Sequence, residues 1–182
     1  MNIFAVNSSP VISAQQLPDK HIVKMPLECC QMAAMVFSKY RWDFGTIPKA
    51  NGEPYKVSKN SPHLVHPCTV WVSKSTAHMA WMLMHGLALC EEYTYRYNKF
   101  HACENALQFA VELFADKTGL SIFNAHNNVV NFTRAMPDYI KNDTSINDHT
   151  AYKLFINTKP WAYDNYIRIP ERRPSWLLKT LP

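Results

Sequence analysis

The spacing of apolar residues along the chain predicts four helices. Apolar positions recur every three or four residues in four segments, which is the pattern of a helix with one buried face. In the first segment this face is formed by Met25, Cys29, Met32 and Val36, and the third segment ends before Gly119, a typical C-terminal stop. The predicted helices span about residues 19–40, 69–99, 103–117 and 148–157.

The stretches between these helices lack periodicity. NIFAV near the N-terminus is a short strand or an extended arm, and residues 43–68 form a long loop that contains both Pro and Gly. The C-terminal tail, residues 158–182, is rich in aromatic and basic side chains. The pattern predicts a mainly α fold: a single compact helical domain over residues 1–182, with long irregular loops.

Composition agrees with a globular protein and narrows its surroundings. Hydrophobic residues make up 47% and charged residues 18% of the chain, and with four Gly there is neither a Rossmann nor a P-loop pattern. The net charge of +5 favours a polyanionic partner. Five Cys, mostly within apolar runs, indicate reduced thiols in a cytoplasm. No signal peptide is apparent, and the longest apolar run is too short to cross a bilayer, so we expect a cytoplasmic protein without a membrane partner.

The first helix carries a polar stripe beside its apolar face. His21, Lys24, Glu28 and Gln31 are spaced three or four residues apart and therefore share one side of the helix. The stripe is either a solvated face or the wall of a site. Because it is narrow, and because an acid and a base on one face suit proton transfer, we expect His21 and Glu28 to be catalytic.

The second helix carries a similar strip. His78, His85 and Glu92 follow one another at intervals of seven, with Arg96 four residues further on. Each histidine alone reads as a core residue, but together with Glu91 and Tyr95 the strip is a candidate lining of the same site.

The long loop ends in PHLVHPC, which contains His63, His66 and Cys68. Their spacing permits a zinc site, but no CxxC or HExxH pattern accompanies them, so we expect neither a metal nor a cofactor. His66 is predicted to be a catalytic residue that the loop delivers.

Aromatic residues alternate with arginines in the tail. Such a pattern either stacks on bases and binds phosphates or packs against the helices, and the sequence leaves both interpretations open. The predicted nucleic-acid-binding residues are Lys24, Arg96, Arg172, Arg173 and Trp176.

Several stretches resemble a known family. LPDKHIVKMPLE is similar to the first helix of the phage pyrimidine-dimer DNA glycosylases of the endonuclease V type, in which a His and a catalytic Glu stand seven residues apart; His21 and Glu28 match that pair. RRPSW resembles the family's RPTW, with Trp176 at the aromatic position. HPCTVW and LCEEYTYRY are similar to an uncharacterised group of phage proteins related to it.

The resemblance implies a helical DNA lesion enzyme whose nucleophile is the N-terminal α-amine, with Glu28 assisting proton transfer. The family exposes a Thr amine after losing its Met, whereas the second residue here is Asn2, whose size disfavours removal of Met1. Either the Met1 amine acts, or this chemistry has been lost. Leu27 and Gln31 replace basic residues of the family's helix.

Three functions are compatible with the sequence. The first is a DNA glycosylase/lyase for a damaged or modified pyrimidine, with Glu28 and His21 as acid/base residues. The second is a transferase that modifies a hydroxymethyl-type pyrimidine in phage DNA on the same scaffold. The third is a non-catalytic DNA-binding protein that uses the tail. All three imply double-stranded DNA as the partner, in the host cytoplasm if the chain is phage-encoded.

Overall fold

The described parts of the chain, residues 1–126 and 129–179, are built from helices and contain no β-strand. The computed structural model has eight α-helices there: α1 (Pro10–Gln15), α2 (Asp19–Phe37), α3 (Pro67–Val72), α4 (Thr76–Tyr97), α5 (Glu104–Thr118), α6 (Ile122–Ala125), α7 (Asp138–Lys141) and α8 (Asp148–Asn157). The prediction of a mainly α fold is therefore confirmed. None of these helices is long and apolar enough to span a membrane. The last three residues of the predicted tail, 180–182, lie outside the described residues.

The centre of the fold is the antiparallel pair α2 and α4. Arg96 near the end of α4 bonds to Asp19 at the start of α2, while at the other end the Trp42 indole donates to the Ser73 carbonyl at 3.2 Å. Gly86 allows close approach, since a Cβ there would lie 3.1 Å from Cys29 Cβ. Helices α1, α3 and α5 pack around this pair.

The predicted helix over residues 69–99 is two helices. The first, α3, ends at Val72, and α4 begins at Thr76 because the Ser75 hydroxyl accepts the free His78 N–H at 3.3 Å and caps a new helix. The end of α2 at Phe37 is also earlier than predicted, because Ser38 is extended and its hydroxyl donates back to the Met35 carbonyl. The bounds of α5 and α8 agree with the prediction to within one residue.

Neither acidic residue that the pattern marks as a helix cap acts as one. Pro18 occupies the N-cap of α2, and the Asp19 carboxylate instead accepts the backbone N–H groups of Ile167 at 2.9 Å and Arg168 at 3.2 Å. At α8 the cap is Asn147, which accepts the Thr150 N–H. The Asp19 contacts fix the C-terminal tail across the start of α2.

Residues 1–6 form a buried extended arm that carries the N-terminus into the molecule. Ile3, Ala5 and Val6 have no exposed surface. The His149 ring bonds to the Ala5 carbonyl at 2.7 Å, and the Ser13 hydroxyl accepts the Val6 N–H at 3.0 Å. Of the two alternatives for NIFAV, the structure has the arm.

Candidate active site

The N-terminal amine lies beside Glu28. The Met1 nitrogen is 4.0 Å from Glu28 Oε2, and the same oxygen accepts the Asn2 backbone N–H at 2.8 Å. The Met1 side chain is 2% exposed and packs against the core, whereas the Glu28 side chain is 14% exposed. The amine and the carboxylate therefore meet at the edge of the buried core, where both can reach a ligand from outside.

Asn2 holds the amine in this place. Its amide oxygen accepts the backbone N–H groups of Ile3 at 2.8 Å and Phe4 at 3.1 Å, and its amide nitrogen donates to the Ala135 carbonyl at 2.7 Å. This is the local turn that an Asn side chain forms with the following backbone. It ties the first residues to a segment 133 residues away and removes the freedom expected of a chain terminus.

His21 lies two turns before Glu28 on α2, about 10 Å along the axis for seven residues of helix. Its ring stacks on Phe4 at 4.1 Å and meets the edge of Trp161 at 5.5 Å. Phe4 reaches this position with φ 40°, a strained value for a residue that is not glycine. Burial, followed by the positive charge of Lys159, lowers the pKa of His21 to about 3, and its Nδ1 is buried without a hydrogen-bond partner.

Lys159 completes the wall around His21. Its ammonium lies 4.2 Å from the Phe155 ring centroid and 6.0 Å from that of Phe4, and burial lowers the pKa of its amine. Lys20 lies similarly over Trp161, at 4.6 Å. The result is an aromatic recess with cations at its rim, which suits a flat, polyanionic ligand.

The long loop brings His66 to the N-terminal side of the site. His66 Nδ1 accepts the Cys68 N–H at 3.2 Å and caps α3. Burial lowers the pKa of His66, and the positive charges of the N-terminal amine and of His63 lower it further. His66 is therefore a neutral imidazole near the amine. Burial raises the pKa of the Cys68 thiol to about 12, so this thiol is protonated and unsuited to attack.

Comparison with known families identifies the chain. Residues 1–105 match the family model described as pyrimidine dimer DNA glycosylase, which is more than half of the sequence. The chain belongs to that family. No significant match is found among curated proteins or among solved structures. The part that matches the glycosylase family contains the arm, α2, the long loop, α3 and α4, and therefore Met1, His21, Glu28 and His66.

In this pyrimidine dimer DNA glycosylase family member, the strip on α4 is distributed over three separate environments. His78 is within 2.6 Å of the Ser75 hydroxyl at the start of the helix. His85 is fully buried, bonds through Nδ1 to the Pro10 carbonyl at 2.9 Å, and has its pKa lowered to about 4 by burial. Glu92 accepts from Arg96 at 2.8 Å and belongs to a buried ion network. His85 supports the start of α1, next to the arm, rather than lining the amine site.

Arg96 lies inside this buried network. Its guanidinium donates to Glu92, to Asp19 at 3.0 Å, and to the carbonyls of Leu17 at 2.9 Å and Gln15 at 3.0 Å. A side chain whose donors are occupied in the interior serves to join α1, α2 and α4. The structure thus gives Arg96 a structural role and leaves it no exposed surface for a phosphate.

The remaining predicted residues are distributed over the surface. Lys24, Glu91 and Tyr95 are exposed, and Arg172 lies over the Tyr95 ring while its Nε donates to Glu92 at 3.0 Å. Two further tail residues behave differently from each other, since Arg173 is exposed over Tyr163 at 4.3 Å and the Trp176 indole donates to Gln16 at 3.1 Å.

Three contributors to the site do not stand out in the sequence: Phe4, Trp161 and Lys159. They come from segments far apart in the chain, and only the aromatic and basic character of the tail hints at two of them. Over residues 1–126 and 129–179, no group of three or more His, Cys, Asp or Glu side chains is arranged to hold a metal ion.

Proposed function

We propose that the protein is a DNA glycosylase/lyase that removes a damaged or modified pyrimidine from double-stranded DNA, with the Met1 amine as nucleophile. The observation that carries this proposal is the pairing of the N-terminal amine with the Glu28 carboxylate, 4.0 Å apart, in a member of the pyrimidine dimer DNA glycosylase family. A structural role alone does not require a chain terminus to be buried by its side chain and opened at its amine.

The amine attacks C1′ of the deoxyribose, so a C1′–N bond forms while the glycosidic bond breaks. Glu28 takes the proton that the attacking nitrogen loses, and the departing pyrimidine receives a proton at its ring nitrogen. Opening of the sugar ring then gives an imine between C1′ and the protein. An α-amine suits this step because its reference pKa is about 8, so a useful fraction is neutral at physiological pH, unlike an ordinary lysine.

His21 and His66 have separate roles in this proposal. His21 is neutral because its pKa is about 3, so it contributes a hydrogen-bonding ring within the aromatic recess rather than an acid. His66, also neutral and close to the amine, accepts the C2′ proton in the elimination that breaks the strand on the 3′ side. The sequence-based assignment of His21 as an acid/base residue thereby becomes a binding role.

Retention of Met1 is part of the proposal. Its side chain is buried, which supports a terminus built with this residue in place. Loss of Met1 would turn the Asn2 nitrogen, 2.8 Å from the same carboxylate oxygen, into the terminal amine. Intact mass distinguishes the two states by one methionine residue.

Duplex DNA is the partner that we propose, bound by exposed cations near the recess. Lys20, Lys24 and Arg173 are exposed, and the net charge is +5. Phosphate contacts of this kind make affinity fall with salt.

Borohydride trapping tests the proposal. Duplexes with one cyclobutane pyrimidine dimer or one abasic site are incubated with protein and borohydride, which reduces an imine to a stable secondary amine. We expect a covalent adduct with the wild type and a rate at least about 100-fold lower for Glu28→Gln, since proton transfer contributes about 10²–10⁴-fold. Glu112→Gln, an exposed position on α5, is the matched control and should trap at the wild-type rate.

The same experiment separates the alternatives. No adduct with wild-type protein on either substrate would overturn the glycosylase/lyase proposal. A transferase on this scaffold would instead alter the mass of a hydroxymethylpyrimidine oligonucleotide, with a donor supplied and without an imine. A non-catalytic binder would show salt-sensitive affinity and no product.

A further inference from the structure

Val65 is an exposed aliphatic side chain beside the candidate active site. It is 73% exposed and stands between His63 and His66, directly before α3. Single exposed apolar residues are common on protein surfaces, so exposure alone means little. Its setting distinguishes Val65 from the others.

The backbone on both sides of Val65 is fixed. The preceding Leu64 is buried, and its carbonyl accepts from the Arg41 guanidinium at 2.6 Å. The following His66 is bonded to the Cys68 N–H as the cap of α3. The Val65 side chain is therefore held outward by anchored neighbours and does not depend on a loose loop for its position.

This position is at the mouth of the proposed site. His66, the next residue, is close enough to the N-terminal amine for the positive charge of that amine to lower the pKa of its imidazole. The same loop carries Lys56, Lys59 and His63 with exposed side chains. An apolar tip flanked by basic groups is complementary to a base stack flanked by phosphates.

We infer that Val65 is a wedge that enters the base stack of the bound duplex and fills the space left when the target nucleotide turns toward the Met1 amine. The inference rests on the proposed glycosylase function and adds to it the residue that makes the enzyme act on duplex DNA. The physical reason is general: extrusion of a nucleotide breaks stacking, and an inserted apolar side chain compensates for part of this loss.

The test compares duplex and single-stranded DNA. The substrates are one abasic oligonucleotide, alone and paired, with 2-aminopurine next to the lesion as a fluorescent reporter of unstacking. The variants are Val65→Ser, Val65→Leu and, as control, Phe100→Ser. Phe100 is 82% exposed and lies next to His101, which bonds to the Val23 carbonyl of α2.

The control residue lies on the other side of α2 from Glu28. Cys30, about 200° around the helix from Glu28 by its spacing of two residues, contacts the Cys103 carbonyl at 3.7 Å in the segment that follows Phe100. A change at Phe100 therefore removes an exposed apolar side chain of comparable accessibility without altering the proposed mouth of the site.

For Val65→Ser we expect trapping on the duplex to slow by about tenfold or more, because the buried apolar contact is lost. Trapping on the single strand should stay at the wild-type rate, and the 2-aminopurine signal of the duplex complex should fall. Val65→Leu and Phe100→Ser should match the wild type on both substrates.

Two results would overturn the inference. Val65→Ser could trap duplex as fast as the wild type, or it could slow both substrates equally, which would mean an effect on the site itself. Failure of the proposed function looks different, since then the wild type traps neither substrate. In that case the 2-aminopurine signal on binding still decides whether Val65 unstacks the duplex.

Discussion

Acidification should destabilise the fold through two buried histidines, His21 and His85. Burial lowers their pKa values from 6.5 to about 3 and about 4, respectively. In the unfolded chain both return to the ordinary value. The unfolded state therefore binds more protons than the folded state below pH 6.5, and the stability that the neutral rings contribute is complete above that pH and is lost as the pH falls toward 4.

The size of the effect follows from the two shifts. Each pH unit between the unfolded and folded pKa corresponds to about 1.4 kcal/mol per histidine. At pH 5, which is 1.5 units below the unfolded pKa, each ring should therefore lower the free energy of unfolding by about 2 kcal/mol, and both together by about 4 kcal/mol.

Urea unfolding followed by tryptophan fluorescence, at pH values from 7.5 to 5.0, measures this loss. His21→Gln and His85→Gln should each reduce the difference in unfolding free energy between the two ends of the range by about 2 kcal/mol. His63→Gln removes an exposed histidine and should leave the difference unchanged. If the full loss persists in His21→Gln, that ring is not held neutral by burial, and its proposed binding role loses its basis.

Three further changes test other contacts. Asp19→Ala removes a buried carboxylate that binds a guanidinium and two tail amides, so we expect a loss of about 3–5 kcal/mol in urea unfolding, against less than about 0.5 kcal/mol for the exposed Asp116→Ala; equal effects would contradict the role of the network. Gly86→Ala brings a methyl group within 3.0 Å of Leu107 Cδ2, so despite better helix propensity we expect about 1 kcal/mol of destabilisation, and a gain in stability would refute the tight approach of α4. Arg173→Ala should reduce the salt dependence of duplex affinity by about one unit of slope in fluorescence anisotropy, and an unchanged slope would exclude a phosphate contact at this residue.

The helices were predictable where local pattern decides the structure. The periodicity of α2 and of α5 is strong, and both lie close to their predicted bounds. The break between α3 and α4 was missed because the apolar pattern continues through it, and only the Ser75 hydroxyl marks the new start. The capping role expected of Asp19 was wrong because the tail, some 148 residues away, binds its carboxylate.

The candidate site was predictable only in part. The resemblance of the first helix to the glycosylase family selects Glu28 and the terminal amine, and the structure has these two groups side by side. The recess at His21 was beyond prediction because Phe4, Trp161 and Lys159 come together only through tertiary packing. A single periodic strip such as that on α4 likewise cannot tell a site from a buried ion network, since both place polar residues on an inner face.

The decisive measurement is the location of the covalent link in the borohydride-trapped complex. The trapped protein is digested and the modified peptide is sequenced by tandem mass spectrometry. The account predicts a single modification on the α-nitrogen of Met1, in the N-terminal peptide, in protein whose intact mass retains that methionine. A modification on a lysine side chain, such as that of Lys24 or Lys159, or on the nitrogen of Asn2 after loss of Met1, would contradict it.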